Sequence, residues 1–263
     1  MVAPSQRTLL LFPLHLTEPR YQPDCSDSHY PQGIVSHLDD IGLLSPRLTL
    51  AHCTWARSAE LELIAARGAT IAINTSSNLG IRSGVAPVAE MVRQGCRVAV
   101  GLDGLALDED DDALRELRLG YLLHRGTGFD VDVDPGTILE MAFANGRGAV
   151  LNRDEDGELS AGAPADILLL NRDRLDNDRL CAELDPFDLL FSRANASHID
   201  ELIVGGKTIV DCGRILGIDL PYMQAQLLDR LRSGIRQNPA VAEAVRELDR
   251  HVSAHFNTEC ECR

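Results

Sequence analysis

No run of apolar residues in this 263-residue sequence approaches the ~18 that a membrane-spanning helix needs, so no membrane is expected as a partner. Basic residues are scarce: 25 Lys and Arg stand against 40 Asp and Glu, a formal net charge of −15. That balance repels phosphate backbones and anionic headgroups, which argues against nucleic acid. A secretory leader also lacks its parts. Thr8–Leu16 is apolar and follows one arginine, but it contains Pro13 and His15 and no small-residue cleavage site. Paired cysteines are absent from the body of the chain. The seven cysteines are scattered, and the one close pair, Cys260-x-Cys262, has no second pair to complete a metal site. Reduced thiols in a cytoplasmic protein fit this usage best. There is no low-complexity tract and no repeat beyond an alternation of strand-like and helix-like segments.

That alternation carries the information. Four short runs end in polar residues: Thr8–Glu18, Arg47–Cys53, Ala69–Ser76 and Arg97–Gly104. Apolar strands buried on both faces belong to parallel α/β sheets. Helical periodicity follows each, over Gly33–Leu44, Arg57–Arg67, Ala86–Gln94 and Asp111–His124. Gly68 is placed to end the second of these, and Pro135 to open a further helix reaching about Asn145. Four βα units with short connections are predicted. A closed eight-fold barrel takes about 250 residues. Because the alternation stops by about residue 145, the expected fold class is α/β: half of a TIM-like barrel over 1–145. A small β module is expected over 146–219, where Gly205-Gly206 is a strong hairpin signal, and a helical segment over 220–263 with a break at Asn238-Pro239.

In a (β/α) barrel the carboxyl ends of the strands line one shared site. His15 with Glu18, then His52, Asn74 and Asp103 converge there on this reading. A histidine at a strand end offers a neutral nitrogen to zinc or iron, and a nearby glutamate can move a proton. Taken singly, H-x-x-E is weak, since a lone strand histidine is more often a hydrogen-bonded core residue. Asp103 is harder to dismiss, because it follows a run too apolar for a surface and needs a partner or a metal. The polar loop Asn74–Pro87 suits either recognition of a planar ligand or an ordinary turn. The acidic run Asp108–Asp112 reads as dressing of a helix N-terminus rather than a hard-cation site.

Taken together, H-L-T-E, L-A-H-C-T-W, N-T-S-S-N…S-G-V-A-P-V and V-G-L-D-G, followed by G-E-L-S-A-G-A-P-A-D-I-L-L-L, resemble the amidohydrolase superfamily. The likeness is to its cytosine deaminase-like and triazine hydrolase-like branch, and runs from about His15 to about Gly213. It implies that His15 and Asp103 bind one divalent metal, zinc or iron. Glu18 then shuttles protons, His52 faces the substrate or attacking water, and Asp103 takes the water's proton. The implied reaction is hydrolysis of a non-peptide carbon–nitrogen bond, as in deamination of a nitrogen heterocycle. Arg20, Tyr21 and Gln22, with Asn74 and Asn78, are the expected substrate contacts.

One element of the family pattern is missing. No H-x-H pair occurs in the sequence, and His29 and His37 lie outside the strand ends. A catalytic zinc site needs three protein ligands and an open position, and His15 and Asp103 make two. The expectation is therefore an enzyme represented without barrel strands one to four, impaired alone, and completed by a complementary N-terminal-half chain or within a homo-oligomer. The competing expectation is an inactive remnant kept as an interaction module, since open strand edges invite association.

Overall fold

The computed structural model describes residues 11–104, 110–151, 157–178 and 185–257. The Cys260–Cys262 pair, the start of the first predicted strand, and Asp108 and Glu109 lie outside them. The chain divides into two compact units, 1–163 with 172–198 and 164–171 with 199–263.

In the first unit four strands, β1 (Phe12–Leu16), β2 (Leu48–His52), β3 (Thr70–Ile73) and β4 (Arg97–Val100), form a parallel sheet in that order. Leu16 pairs with His52 and Ala51 with Ala72, so the strands end nearly level. Leu48, Leu50, Ile71, Ile73 and Val98 are almost wholly buried, as strands covered on both faces require. Burying a side chain of this size contributes about 1.5–3 kcal/mol.

The helices of this unit are α1 (Tyr21–His29), α2 (Ile34–Asp40), α3 (Ser58–Arg67), α4 (Thr75–Gly80), α5 (Val88–Arg93) and α6 (Ala113–His124). Beyond them lie α7 (Pro135–Glu140), α8 (Gly146–Leu151), α9 (Arg172–Leu175) and α10 (Pro186–Arg193). Gly68 ends α3 in the left-handed conformation, φ 70°, the role its position predicts. Asp112 caps α6 by accepting from the Leu114 and Arg115 amides, so this end of the acidic run serves a helix. The helix predicted to stop near Asn145 passes through one π turn, Met141–Asn145, and continues as α8. Asn145 there donates to the Val98 carbonyl of β4 at 3.0 Å.

Two helices stand where the sequence shows no helical periodicity, and one of them, α4, replaces the first part of the predicted loop Asn74–Pro87. In α1 only Pro23 is buried, so no apolar stripe announces it. In α4 the buried residues are Thr75, Ser77 and Asn78, so its inward face is polar. Apolar periodicity is blind to such a helix.

The second unit holds an antiparallel sheet of β5 (Ile167–Leu170), β6 (Ile199–Val204), β7 (Lys207–Asp211) and β8 (Arg214–Ile215). Gly205 and Gly206, at φ 56° and 77°, make the turn between β6 and β7. Two positive φ values are what a tight hairpin of the type I′ kind demands. Two long helices follow, α11 (Leu220–Gln237) and α12 (Pro239–Asn257), parted at Asn238 as predicted. Among the described residues no helix is long and apolar enough to cross a membrane.

Candidate active site

The carboxyl ends of β1, β2 and β4 bring together the residues singled out in the sequence. His15 Nδ1 lies 2.9 Å from His52 Nε2, and the rings are tilted with centroids 4.7 Å apart. Glu18 Oε2 is 3.5 Å from His15 Nδ1 and 3.6 Å from His52 Nε2. Asp103 Oδ2 approaches the same His52 nitrogen at 3.8 Å. One imidazole nitrogen is thus ringed by a second imidazole and two carboxylates. His52 is fully buried, while the His15 side chain is 58 % exposed.

The far side of the His52 ring fixes its proton. Nδ1 lies 2.8 Å from Asn78 Oδ1, a carbonyl oxygen that only accepts, so Nδ1 must donate to it. In the neutral ring Nε2 then carries the lone pair and aims it at the cluster. Asn74 Nδ2 stands 3.5 Å from the same Nδ1. Both asparagines, expected as substrate contacts, are buried and turned toward His52.

The backbone at Glu18 and the carboxylate of Asp103 are also held. The Glu18 amide donates to Gln22 Oε1 at 2.9 Å, so the second residue of α1 steadies the turn carrying the glutamate. Ser77 Oγ donates to Asp103 Oδ2 at 2.7 Å. Arg20 sits over the Trp55 ring at 5.7 Å, and Trp55 Nε1 donates to the Ser83 carbonyl. Tyr21 opens α1 and is 37 % exposed. Neither spare histidine joins the cluster: His29 is bonded within α1, and His37 stacks on Tyr30 at 4.2 Å.

The backbone is strained at the same places. Thr17, His52, Cys53 and Asp103 take φ values of 46°, 72°, 47° and 64°, the left-handed region that non-glycine residues avoid. Such outliers gather where side chains must leave a strand end at a set angle. Cys53 is also fully buried, and burial pushes its thiol well above the usual range, which leaves it inert as a nucleophile. Close packing adds a further constraint: a Cβ on Gly101 would lie 2.3 Å from Asn74 Oδ1. Gly101→Ala should displace Asn74 and lower stability by about 1–3 kcal/mol, read as a lower midpoint in urea unfolding.

Neutral nitrogen and anionic oxygen donors suit zinc or iron. His15, Glu18 and His52 offer ligand atoms all within 4.8 Å of one another, and Asp103 borders them. A lone pair on His52 Nε2, fixed by Asn78, is what a metal requires of a histidine. The residues present therefore fit such an ion.

A model described as the amidohydrolase family matches residues 24–209. The chain belongs to the amidohydrolase family. Among its curated relatives is a 5-methylthioadenosine/S-adenosylhomocysteine deaminase of Syntrophobacter fumaroxidans, 30% identical over 83% of this chain and 49% of the relative. Another is a 5'-deoxyadenosine deaminase of Methanosarcina barkeri, 31% identical over 78% of this chain and 47% of the relative. Among solved structures, an adenosine deaminase of Xanthomonas campestris with bound zinc aligns at TM-score 0.77 and 27% identity, over 85% of this chain and 51% of that one. The zinc complex of atrazine chlorohydrolase TrzN from Arthrobacter aurescens aligns at TM-score 0.72 and 27% identity, over 82% and 48%. This amidohydrolase chain spans about half the length of the relatives it matches.

Two contributors to the site escaped the sequence reading. Ser77, which holds Asp103, lies inside a stretch rich in serine and asparagine, where nothing marks one hydroxyl above another. Glu116, described below, sits between Arg115 and Leu117 in α6 with no motif around it.

Proposed function

We propose that this chain carries the proton-handling part of a metal-dependent hydrolase that deaminates a nitrogen heterocycle. The observation that carries the reading is the clustering of His15, Glu18 and Asp103 around His52 Nε2. The names of the relatives favour an adenosine-type nucleoside as substrate. His15 and Asp103 would hold the ion, which when bound lowers the pKa of water and polarises the reacting carbon–nitrogen system.

This chain's own residues manage the protons. Water adds to the ring carbon that bears the amino group, the carbon–nitrogen bond breaks, and ammonia leaves. Glu18 takes a proton from the water and delivers it to the ring nitrogen. Asp103 accepts the second proton and returns it to the departing amine. His52 faces the attacking water and the oxygen where charge develops, while Asn78 and Asn74 hold its ring in place. Arg20, Tyr21 and Gln22 border the substrate.

On the same reading residues 1–145 are half of a TIM-like barrel in a cytoplasmic enzyme, 146–219 its β module and 220–263 a helical appendage. A complementary chain or a second copy supplies the remaining ligands. Coverage of about half of each relative and the exposed His15 on an edge strand support this. The decisive test is the zinc and iron content of the purified chain beside Asp103→Ala. Near-stoichiometric metal that falls in the variant is the expected result. A metal-free wild-type chain would show that these residues do not hold the ion by themselves.

A further inference from the structure

Glu116 is an acidic residue on the buried face of α6. It sits in α6 beside Leu117 and Leu114, both buried, and is itself 2 % exposed. A buried carboxylate is costly unless something compensates it. Among the described residues its hydrogen-bond partner is a single backbone group: the Ser76 amide donates to both oxygens, at 3.1 and 3.3 Å. Ser76 is the second residue of α4, in the turn whose amides have no partner within the helix. Neutral capping residues satisfy such amides routinely. A carboxyl side chain buried on a neighbouring helix is more than a helix end needs.

The next two residues show what the anchor holds. Ser77 donates to Asp103 Oδ2 at 2.7 Å, and Asn78 accepts from His52 Nδ1 at 2.8 Å. Residues 76, 77 and 78 thus carry one tie to α6 and two ties to the cluster. The helix has only six residues and buries a polar face, so apolar packing alone gives it little purchase. At the other end of the line α6 is held firmly. Asp112 caps its first turn and also accepts from the Ala196 amide at 2.8 Å.

We infer that Glu116 is a positioning residue for His52 and Asp103, acting through α4. It pins the first turn of that helix so that Ser77 and Asn78 meet their partners, which keeps the His52 proton on Nδ1 and its lone pair on the cluster. The inference rests on the proposed function for its purpose, but the coupling from Glu116 to His52 is observable without catalysis.

The test compares Glu116→Leu with Glu116→Gln in the full chain. Glutamine keeps an acceptor for the Ser76 amide, and leucine does not. Nitrogen-15 NMR of the imidazoles reads the tautomer of His52, identified by its loss in His52→Asn, and titration with zinc alone reads the affinity. In the wild type His52 should be protonated at Nδ1. Glu116→Leu should show mixed tautomers and about tenfold or greater loss of zinc affinity, the range that residues orienting a ligand command. Glu116→Gln should stay close to wild type on both measures.

A Glu116→Leu protein that melts cooperatively, with His52 signals and zinc affinity unchanged, overturns the inference. Should the leucine variant not fold, Ser76→Pro removes the same hydrogen bond from the amide side. Proline is tolerated in a first helical turn, so this variant should show the same tautomer mixing, and unchanged His52 signals there would equally overturn the inference. A wild-type chain that binds no zinc defeats the metal-site reading instead, and leaves the His52 signals to decide the role of Glu116 alone.

Discussion

Acidification from pH 7 to pH 4 should remove about 3 kcal/mol of folding stability through one side chain, His124. This histidine closes α6 at 8 % exposure, and burial lowers its pKa from 6.5 to about 4. The folded chain keeps the ring neutral, whereas the unfolded chain protonates it near pH 6.5. Between those two values the unfolded state binds more protons, so stability falls as the pH falls, and the full contribution is present only above about 6.5. Glu90, Arg93 and Asp132 line the groove that His124 also lines, and none of them replaces the imidazole. The carboxylate of Asp39, held low by its hydrogen bonds from Arg67, acts in a separate and more acidic window. Urea unfolding at several pH values measures the effect. His124→Leu should flatten the profile between pH 6.5 and 4, and an unaltered slope in that variant would show that His124 is not the group responsible.

On the proposed function, Glu18→Gln should reduce turnover of an adenosine-type substrate by roughly 100- to 10,000-fold, the span removed with a general acid–base group. Its amide could still accept or donate a hydrogen bond at the same place but could not carry a proton between water and ring. Metal content should stay near the wild-type level, because on the proposed reading His15 and Asp103 hold the ion and both are untouched. If the wild-type chain turns over only when mixed with the preceding half of a barrel, the comparison belongs in that mixture. A variant that retains most of its activity would remove Glu18 from the proton path and leave Asp103 as the candidate.

The strand ends were legible because a parallel sheet writes itself plainly. Leu48, Leu50 and Ala51, like Val98 to Val100, are apolar, so the polar residue at or just beyond each end, His52 or Asp103, stands out. What positions those residues was far less visible. In α4 the sequence shows serines and asparagines, and a helix whose inward face is polar has the composition of a loop. The pairing of Glu116 with Ser76 spans forty residues and joins a side chain to a backbone amide, which no residue pattern encodes. The left-handed conformations at His52 and Asp103 were equally hidden, since glycine is the residue that normally announces them. The grouping of these residues was thus readable in outline, and its supports were not.

Thr17 shows where the demands of folding and of the site diverge. It lies between Leu16 and Glu18 with φ 46°, and its buried hydroxyl has no hydrogen-bond partner among the described residues. Both features oppose folding, and neither is required of a turn in which glycine would be comfortable. A selection for heat tolerance should therefore strike Thr17 early, with glycine as a favoured replacement. The same change would free the backbone that aims Glu18, so variants that survive heating should be poorer at moving protons. Resistance to temperature and readiness for chemistry are set against each other at this one peptide unit.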